Sequence, residues 1–203
     1  MKNIIFALIL LSTTFISAQE DTTKYLLIRC DDMGMCHSVN MAIKEVIESV
    51  ISMSTSVMFA CPWYQEAVDI LKQNPQVGVG IHLTLNAEWK NYRWGPVLGK
   101  ETVPSLVDSN GYFFPSRSKL FDNNPRIEEI EKELRAQINR AINSGIRIDY
   151  LDYHMGAAVQ TTELRKLVES LAEEFILGMP DGDQNGGKSV IPISLYSLAF
   201  PDS

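Results

Sequence analysis

Hydrophobic positions along the chain alternate between short continuous runs and longer stretches with helical spacing. The continuous runs predict buried strands at 24–30, 55–60, 77–83 and 146–153, with a candidate fifth strand at 175–177. The stretches in which apolar residues recur every three or four positions predict helices at 39–50, 64–72, 127–142 and 162–173. Strands that alternate with helices in this order favour a parallel sheet with crossover helices, and therefore an α/β fold.

An aromatic and proline-rich excursion, residues 86–122, interrupts this alternation. An Asn110-Gly111 turn between two apolar pairs predicts a small hairpin inside the excursion. The phenylalanines at 113–114 are expected to pack that hairpin against the rest of the domain. For Trp89 and Trp94 two roles stay open, which are packing and stacking on a sugar ring.

The first eighteen residues have the character of a secretory signal peptide. Lys2 gives a positive start, residues 4–11 form an apolar centre, and small residues at 16–18 precede Gln19. No cysteine follows the expected cleavage position, so no lipid-type membrane anchor is expected there. The sequence therefore predicts an exported protein with one domain, residues 19–203.

Composition narrows the class of partner. The chain has 203 residues, of which 45% are hydrophobic and 21% charged, as in globular proteins. Loss of Lys2 with the signal peptide would leave 17 basic and 25 acidic residues, which argues against nucleic acid or an anionic membrane as partner. The three cysteines allow one disulfide at most, and Cys30 is expected to be a buried thiol. No feature of the sequence indicates an oligomeric state.

Three predicted strands end in residues that can carry chemistry. Asp31 and Asp32 follow the first strand, His82 ends the third and His154 ends the fourth. The carboxyl ends of parallel strands meet at one rim, where the active sites of barrels and open sheets form. One aspartate and two histidines suit a divalent metal ion with open coordination positions, and a second aspartate could act as base for a water molecule. The alternative is that these histidines are hydrogen-bonded packing residues.

Two further polar residues lie near these positions in the sequence. Asp152 precedes His154 by two positions and therefore lies on the same face of the strand. It either orients a metal ligand or contacts the substrate, or it is a loop-facing acid. His37 begins a predicted helix and is interpreted as a polar loop residue.

The combination of these segments resembles the YdjC/ChbG-like carbohydrate deacetylases, a family with a (β/α) barrel related to polysaccharide deacetylases. The segments that carry the resemblance lie between Leu26 and His154, and they are DDMGMCHSVN, NPQVGVGIHLTLN, PSLVDSNGYF, ELRAQINRAINSGIRI and YLDYH. The resemblance implies a (β/α) barrel of the deacetylase type.

The resemblance also implies roles for individual residues. Asp32, His82 and His154 would be ligands of one divalent metal ion, and Asp31 would be the catalytic base. The ion would be Zn or Mg, with Mn or Co as alternatives. The implied substrates are N-acetylated amino sugars or their oligosaccharides, from which the enzyme would remove acetyl groups.

The chain departs from the family pattern in two respects. The family often has a further histidine two residues after the one that matches His154, but this chain has Gly156 there, so the donor of a proton to the departing amine is not assigned. A barrel of this type usually needs about 250 residues, so we expect a barrel that is incomplete at its C-terminal end.

Two other functions remain open at this stage. A metal-dependent phosphoesterase could use the same rim, but it would need basic residues for the phosphate, and Arg29 is the one close in sequence. A non-catalytic or decayed sugar-binding protein would bind oligosaccharide but release no acetate at any metal concentration.

Overall fold

The computed structural model describes residues 28–179 of the chain, so the predicted signal peptide at 1–18 and the apolar stretch at 191–200 lie outside the described residues. The described part contains four strands, β1 to β4, which are Ile28–Met33, Met53–Val57, Gly78–Leu83 and Tyr150–Tyr153. Its α-helices, α1 to α5, are His37–Glu48, Tyr64–Lys72, Arg117–Asp122, Ile127–Asn143 and Thr162–Phe175. The same part has two 3₁₀ helices, Pro104–Leu106 and His154–Val159.

The four strands form one parallel sheet in the order β1-β2-β3-β4. Each strand pairs with the next one in sequence, as the strands of a (β/α) barrel do, whereas a doubly wound sheet reverses its strand order part way. The expected α/β class is therefore confirmed. Closure of the sheet into a barrel stays a prediction.

The core lies between the sheet and its helices. All five residues of β2 are buried, because this inner strand is covered on both faces. Two of its polar side chains are satisfied internally, since the Thr55 hydroxyl donates to the Cys30 carbonyl oxygen at 2.8 Å and the Ser56 hydroxyl donates to Asp152 at 2.7 Å. No helix within residues 28–179 combines the length and the apolarity that a membrane span requires.

The strand boundaries differ from the sequence prediction in ways that matter for the site. Strand β1 continues to Met33 instead of ending at Cys30, so both aspartates lie within it, at a register shift in its pairing with β2. Strand β2 ends at Val57 rather than at residue 60, and β4 begins at Tyr150 rather than at residue 146. Apolar runs mark buried backbone, whereas strand bounds follow the hydrogen-bonded ladder, which extends beyond the run in β1 and stops short of it in β2 and β4.

The candidate fifth strand at 175–177 is wrong as an element within the described residues. Phe175 still belongs to α5, and Ile176 takes a left-handed conformation (φ 57°) that ends the helix. Only Gly178 then reaches the sheet, through an isolated parallel bridge to Tyr150.

The excursion forms the predicted hairpin-like turn and is fastened to helix α4. Val107 and Phe113 form an antiparallel bridge around the turn, and Phe113 is completely buried, as expected. Two buried carboxylates on α4 hold the excursion by accepting backbone N–H groups: Glu133 from Val97 and Leu98, and Glu129 from Ser105. Buried carboxylates that cap loop N–H groups give a long excursion a fixed path.

Gly80 supplies a test of sheet packing. A Cβ at this position would overlap the Tyr150 ring, and the ring cannot retreat easily because its hydroxyl contacts the Ser56 hydroxyl at 3.1 Å. We expect Gly80→Ala to lower the free energy of unfolding by roughly 1–3 kcal/mol, measured by urea denaturation.

The matched control is Gly78→Ala in the same strand. There the added Cβ would lie 3.4 Å from the Ser54 Cβ, which is ordinary contact, and stability should change little. Equal destabilisation by both substitutions would contradict the close approach of Tyr150 to Gly80.

Candidate functional site

Three side chains from separate parts of the sheet meet at its carboxyl-end rim. Asp32 Oδ1 lies 3.3 Å from His82 Nε2 and 3.0 Å from His154 Nδ1. The two imidazole rings are 5.3 Å apart between centroids, in an edge-on arrangement. Both histidines are buried, with 4% and 3% of their surface exposed. The sequence prediction that these three residues come together is therefore consistent with the geometry.

The backbone at Asp32 departs from regular strand geometry so that its carboxylate can reach both imidazoles. Asp32 has φ 66°, in the left-handed region that few non-glycine residues occupy. The turn that follows is held by Asn40 of α1, whose side-chain oxygen accepts the Gly34 N–H at 2.7 Å. Asn40 is completely buried and also donates to the Trp63 carbonyl oxygen, which joins the turn to the segment before α2. Strained backbone of this kind often marks a functional position.

Asp152 orients His82. Its Oδ1 lies 2.7 Å from His82 Nδ1, and its Oδ2 accepts the Ser56 hydroxyl at 2.7 Å. Only 2% of Asp152 is exposed, so the loop-facing alternative is wrong. A carboxylate on one imidazole nitrogen fixes the ring so that the other nitrogen is available to a ligand or to Asp32.

Asp31 is held by Arg29. The guanidinium donates twice to the carboxylate, from Nε at 2.7 Å and from Nη2 at 3.1 Å. Arg29 Nε also lies 3.3 Å from Asp152 Oδ2. Arg29 is therefore committed to two carboxylates, which disfavours the phosphoesterase alternative that needed it for phosphate.

The charges of the cluster shift the pKa values of its members. Burial alone would lower the pKa of His82, but the carboxylates of Asp152 and Asp32 outweigh it and raise that pKa well above the usual value. Burial likewise opposes a rise at His154, where Asp32 and Glu88 raise the pKa. Burial would raise the pKa of Asp32, but hydrogen bonds and charge from the two imidazoles hold it below its usual range.

The Asp32, His82 and His154 atoms fit the dimensions of a metal site. Their ligand atoms all lie within 4.8 Å of one another, and ligands about 2.1 Å from a tetrahedral zinc ion lie roughly 3.4 Å apart. A second group, Asp31, His82 and Asp152, meets the same distance criterion. The Arg29 guanidinium occupies that second group and would repel a cation there, so the first group is the better candidate.

Several residues considered from the sequence lie outside the cluster. His37 is exposed at the start of α1 and pairs with Glu66 at 2.8 Å, as expected of a polar residue there. Trp94 is buried and therefore packs, whereas Trp89 is 44% exposed. All three cysteines are free thiols, and Cys30 is buried as expected.

Three contributors to the site were missed or undervalued by sequence reasoning. Glu88 lies 3.0 Å from His154 Nε2, Ser56 supports Asp152, and Arg29 holds Asp31. Glu88 could have been noticed as an acid in the loop that directly follows the strand carrying His82. Ser56 left no signal, because a serine inside a buried strand has no distinctive pattern.

The fold and site together define a class: an α/β protein with parallel strands in sequential order and a candidate Asp/His/His metal-binding group at their carboxyl ends. The chain belongs to the YdjC-like protein family, whose family model matches residues 25–189. The family resemblance inferred from the sequence motifs is therefore confirmed.

Among known proteins, the chain is similar to several named carbohydrate deacetylases. It is 34% identical to the one from Brevibacillus brevis over 150 residues, which cover 74% of this chain and 56% of the relative. It is 30% identical to the one from Enterococcus faecalis over 165 residues, covering 81% of this chain and 61% of the relative. The chain thus spans little more than half the length of these relatives.

A solved structure shares the fold. A protein from Enterococcus faecalis V583, provisionally described as a cellobiose-phosphate cleavage protein, matches with a TM-score of 0.69 and 30% sequence identity. The match covers 78% of this chain and 59% of the solved chain. This agreement supports the α/β architecture of the described residues.

The raised pKa values of His82 and His154 predict that metal binding depends on pH. A protonated imidazole cannot bind a cation, so binding must displace protons from the cluster. We expect the affinity for Zn²⁺ to rise with pH through and above the usual histidine pKa of about 6.5. Calorimetry in buffers with different ionisation enthalpies would count the protons released.

The control for this prediction is His37→Gln, which changes a histidine outside the cluster and should leave the proton count unchanged. A zinc affinity that stays constant between pH 6 and pH 8 would contradict the assignment of raised pKa values to the two clustered histidines.

Proposed function

We propose that the protein is a metal-dependent hydrolase that removes acetyl groups from N-acetylated amino sugars or their oligosaccharides. The observation that carries the proposal is the Asp32 oxygen that lies within hydrogen-bond range of two buried imidazoles, His82 and His154. In the proposed site these three residues hold one divalent cation. The names of the similar proteins support the reaction class, and the chain's partial length relative to them makes its activity a proposal.

The donor set limits the identity of the cation. One carboxylate and two imidazoles suit Zn²⁺ and accept Mg²⁺, Mn²⁺ or Co²⁺. When bound, the cation would supply Lewis acidity toward the acetyl carbonyl oxygen and stabilise the negative charge that develops there.

Asp31 is the proposed general base. Its side chain is 37% exposed, so a substrate and a water molecule can approach it, while the two hydrogen bonds from Arg29 fix its orientation. A carboxylate that is held in place next to the cation-binding group can accept the proton of the attacking water. Arg29 also touches Asp152, so the base and the support of His82 are positioned by one guanidinium.

An exposed aromatic residue that follows Glu88 in the sequence supports sugar recognition. Trp89 is 44% exposed and directly follows Glu88, which contacts His154. We take the exposed Trp89 indole as the candidate surface for a sugar ring, because flat apolar faces of this kind stack on sugars.

Export is the remaining part of the proposal. The signal-peptide pattern at 1–18 predicts that the mature chain starts at Gln19, outside the cytoplasm. N-terminal sequencing of the protein recovered from outside the cytoplasm would test the cleavage position.

Two variants separate the proposed roles of metal ligand and base. We expect His82→Ala to lose the bound metal and with it acetate release from N-acetylated chito-oligosaccharides. We expect Asp31→Asn to keep its metal while acetate release falls by roughly 10²- to 10⁴-fold, the usual contribution of a general base. Metal content is measured by elemental analysis and acetate by a coupled assay.

Matched controls are His37→Ala and Asp122→Asn, which alter the same residue types at exposed positions outside the cluster. Both should retain metal and activity. Unchanged metal binding in His82→Ala would refute the ligand assignment. Oligosaccharide binding without acetate release at any metal concentration would instead favour the non-catalytic sugar-binding alternative.

A further inference from the structure

Glu88 contacts the side of His154 that faces away from Asp32. Its Oε2 lies 3.0 Å from His154 Nε2, whereas Asp32 Oδ1 lies 3.0 Å from His154 Nδ1. Both nitrogens of this buried imidazole are thus engaged by carboxylates. Neither the sequence motifs nor the names of the similar proteins assign a role to Glu88.

Each imidazole of the cluster has one nitrogen facing Asp32 and the other facing a second carboxylate. The nitrogen that faces Asp32 differs between the two rings. His82 presents Nε2 to Asp32, and its Nδ1 lies 2.7 Å from the supporting carboxylate of Asp152. His154 presents Nδ1 to Asp32, and its Nε2 faces Glu88. The nitrogen that carries the proton in a neutral imidazole is set by the hydrogen bond that it donates. With Asp152 and Glu88 as the acceptors, the neutral rings would carry their protons on opposite nitrogens, Nδ1 of His82 and Nε2 of His154.

We infer that Glu88 is a positioning residue that makes His154 bind the cation through Nδ1. The Glu88 carboxylate accepts the Nε2–H of His154, which leaves the Nδ1 lone pair directed at the site shared with Asp32. This inference rests on the proposed function, because it takes the Asp32 group as the cation site. It adds a second carboxylate–histidine support to the one that Asp152 gives His82.

The ring orientation of His154 depends on these hydrogen bonds. A flip of the ring would exchange each nitrogen with a carbon and would remove the contacts to Asp32 and Glu88 together. Trp94 lies against the ring edge-on, with centroids 6.1 Å apart, and only 3% of His154 is exposed. Water therefore has little access to replace a lost partner.

Glu88 is itself fixed by a buried neighbour. The Asn86 side-chain amide donates to Glu88 Oε2 at 3.2 Å, and Asn86 is completely buried. The Trp94 indole N–H donates to the Asn86 backbone oxygen at 3.0 Å. The loop after β3 thus holds Glu88 against His154 by a chain of hydrogen bonds that starts in the core.

The test reads the histidine tautomers directly. Long-range ¹H–¹⁵N correlation spectra of the full chain, labelled with ¹⁵N and loaded with Zn²⁺, distinguish a protonated ring nitrogen from a metal-bound one. We expect His82 to bind through Nε2 with Nδ1 protonated, and His154 to bind through Nδ1 with Nε2 protonated. The substitutions His82→Gln and His154→Gln assign the two sets of signals in the metal-free protein, and a Zn²⁺ titration of the unaltered chain follows them into the loaded state.

Substitution of Glu88 adds an affinity readout. We expect Glu88→Ala to weaken Zn²⁺ binding by roughly 10- to 100-fold, as loss of a carboxylate behind a ligating histidine does elsewhere. Glu88→Gln should recover most of that affinity, because its amide oxygen accepts the same N–H. Glu101→Ala, at an exposed position in the excursion, should bind Zn²⁺ like the unaltered protein.

The outcomes separate this inference from the proposed function. Coordination of Zn²⁺ through Nε2 of His154, or full affinity in Glu88→Ala, would overturn the role of Glu88 and leave the metal site intact. Absence of Zn²⁺ binding in the unaltered chain would overturn the proposed function and the inference together.

Discussion

One carboxylate oxygen of Asp32 is the point on which the rim of the sheet depends. From β1 it contacts His82 of β3 and His154, the residue after β4, and the Asp32 backbone leaves the strand conformation at this point. A left-handed non-glycine residue costs roughly 1–2 kcal/mol. The hydrogen bond from the Gly34 N–H to the buried Asn40 side chain offsets part of that cost and ties the turn to α1. The first helix is therefore part of the site, although none of its residues joins the Asp32 cluster.

Charge balance at this rim accounts for the position of Arg29 and for the raised pKa values of the two histidines. The carboxylates of Asp31, Asp32, Asp152 and Glu88 converge there, and the guanidinium of Arg29 offsets two of them. Without a cation the remaining negative charge draws protons onto His82 and His154, whose pKa values are raised. A divalent cation would supply the same positive charge at the Asp32 group and release those protons. In the proposed function, metal binding and proton binding would thus be alternative ways to neutralise one buried cluster.

Much of the architecture could be predicted from hydrophobic periodicity. Helix α2 was predicted with its observed bounds, and α4 to within one residue, because their apolar faces repeat without interruption. Strand ends were less predictable, since burial extends beyond the hydrogen-bonded ladder. The family resemblance implied the roles of Asp32, His82 and His154. The prediction that they meet at one rim followed from the parallel topology of the strands. Glu88, Ser56 and the orienting role of Arg29 depend on side-chain distances across strands and loops, which no local pattern encodes.

The position of a bound metal ion is the measurement that tests the central claim most directly. An anomalous difference map at the zinc edge, from crystals of the full chain grown with Zn²⁺, would locate it. The account predicts one strong peak in contact with Asp32, His82 Nε2 and His154 Nδ1. A peak at the alternative group of Asp31, His82 and Asp152, or no peak at this rim, would contradict it.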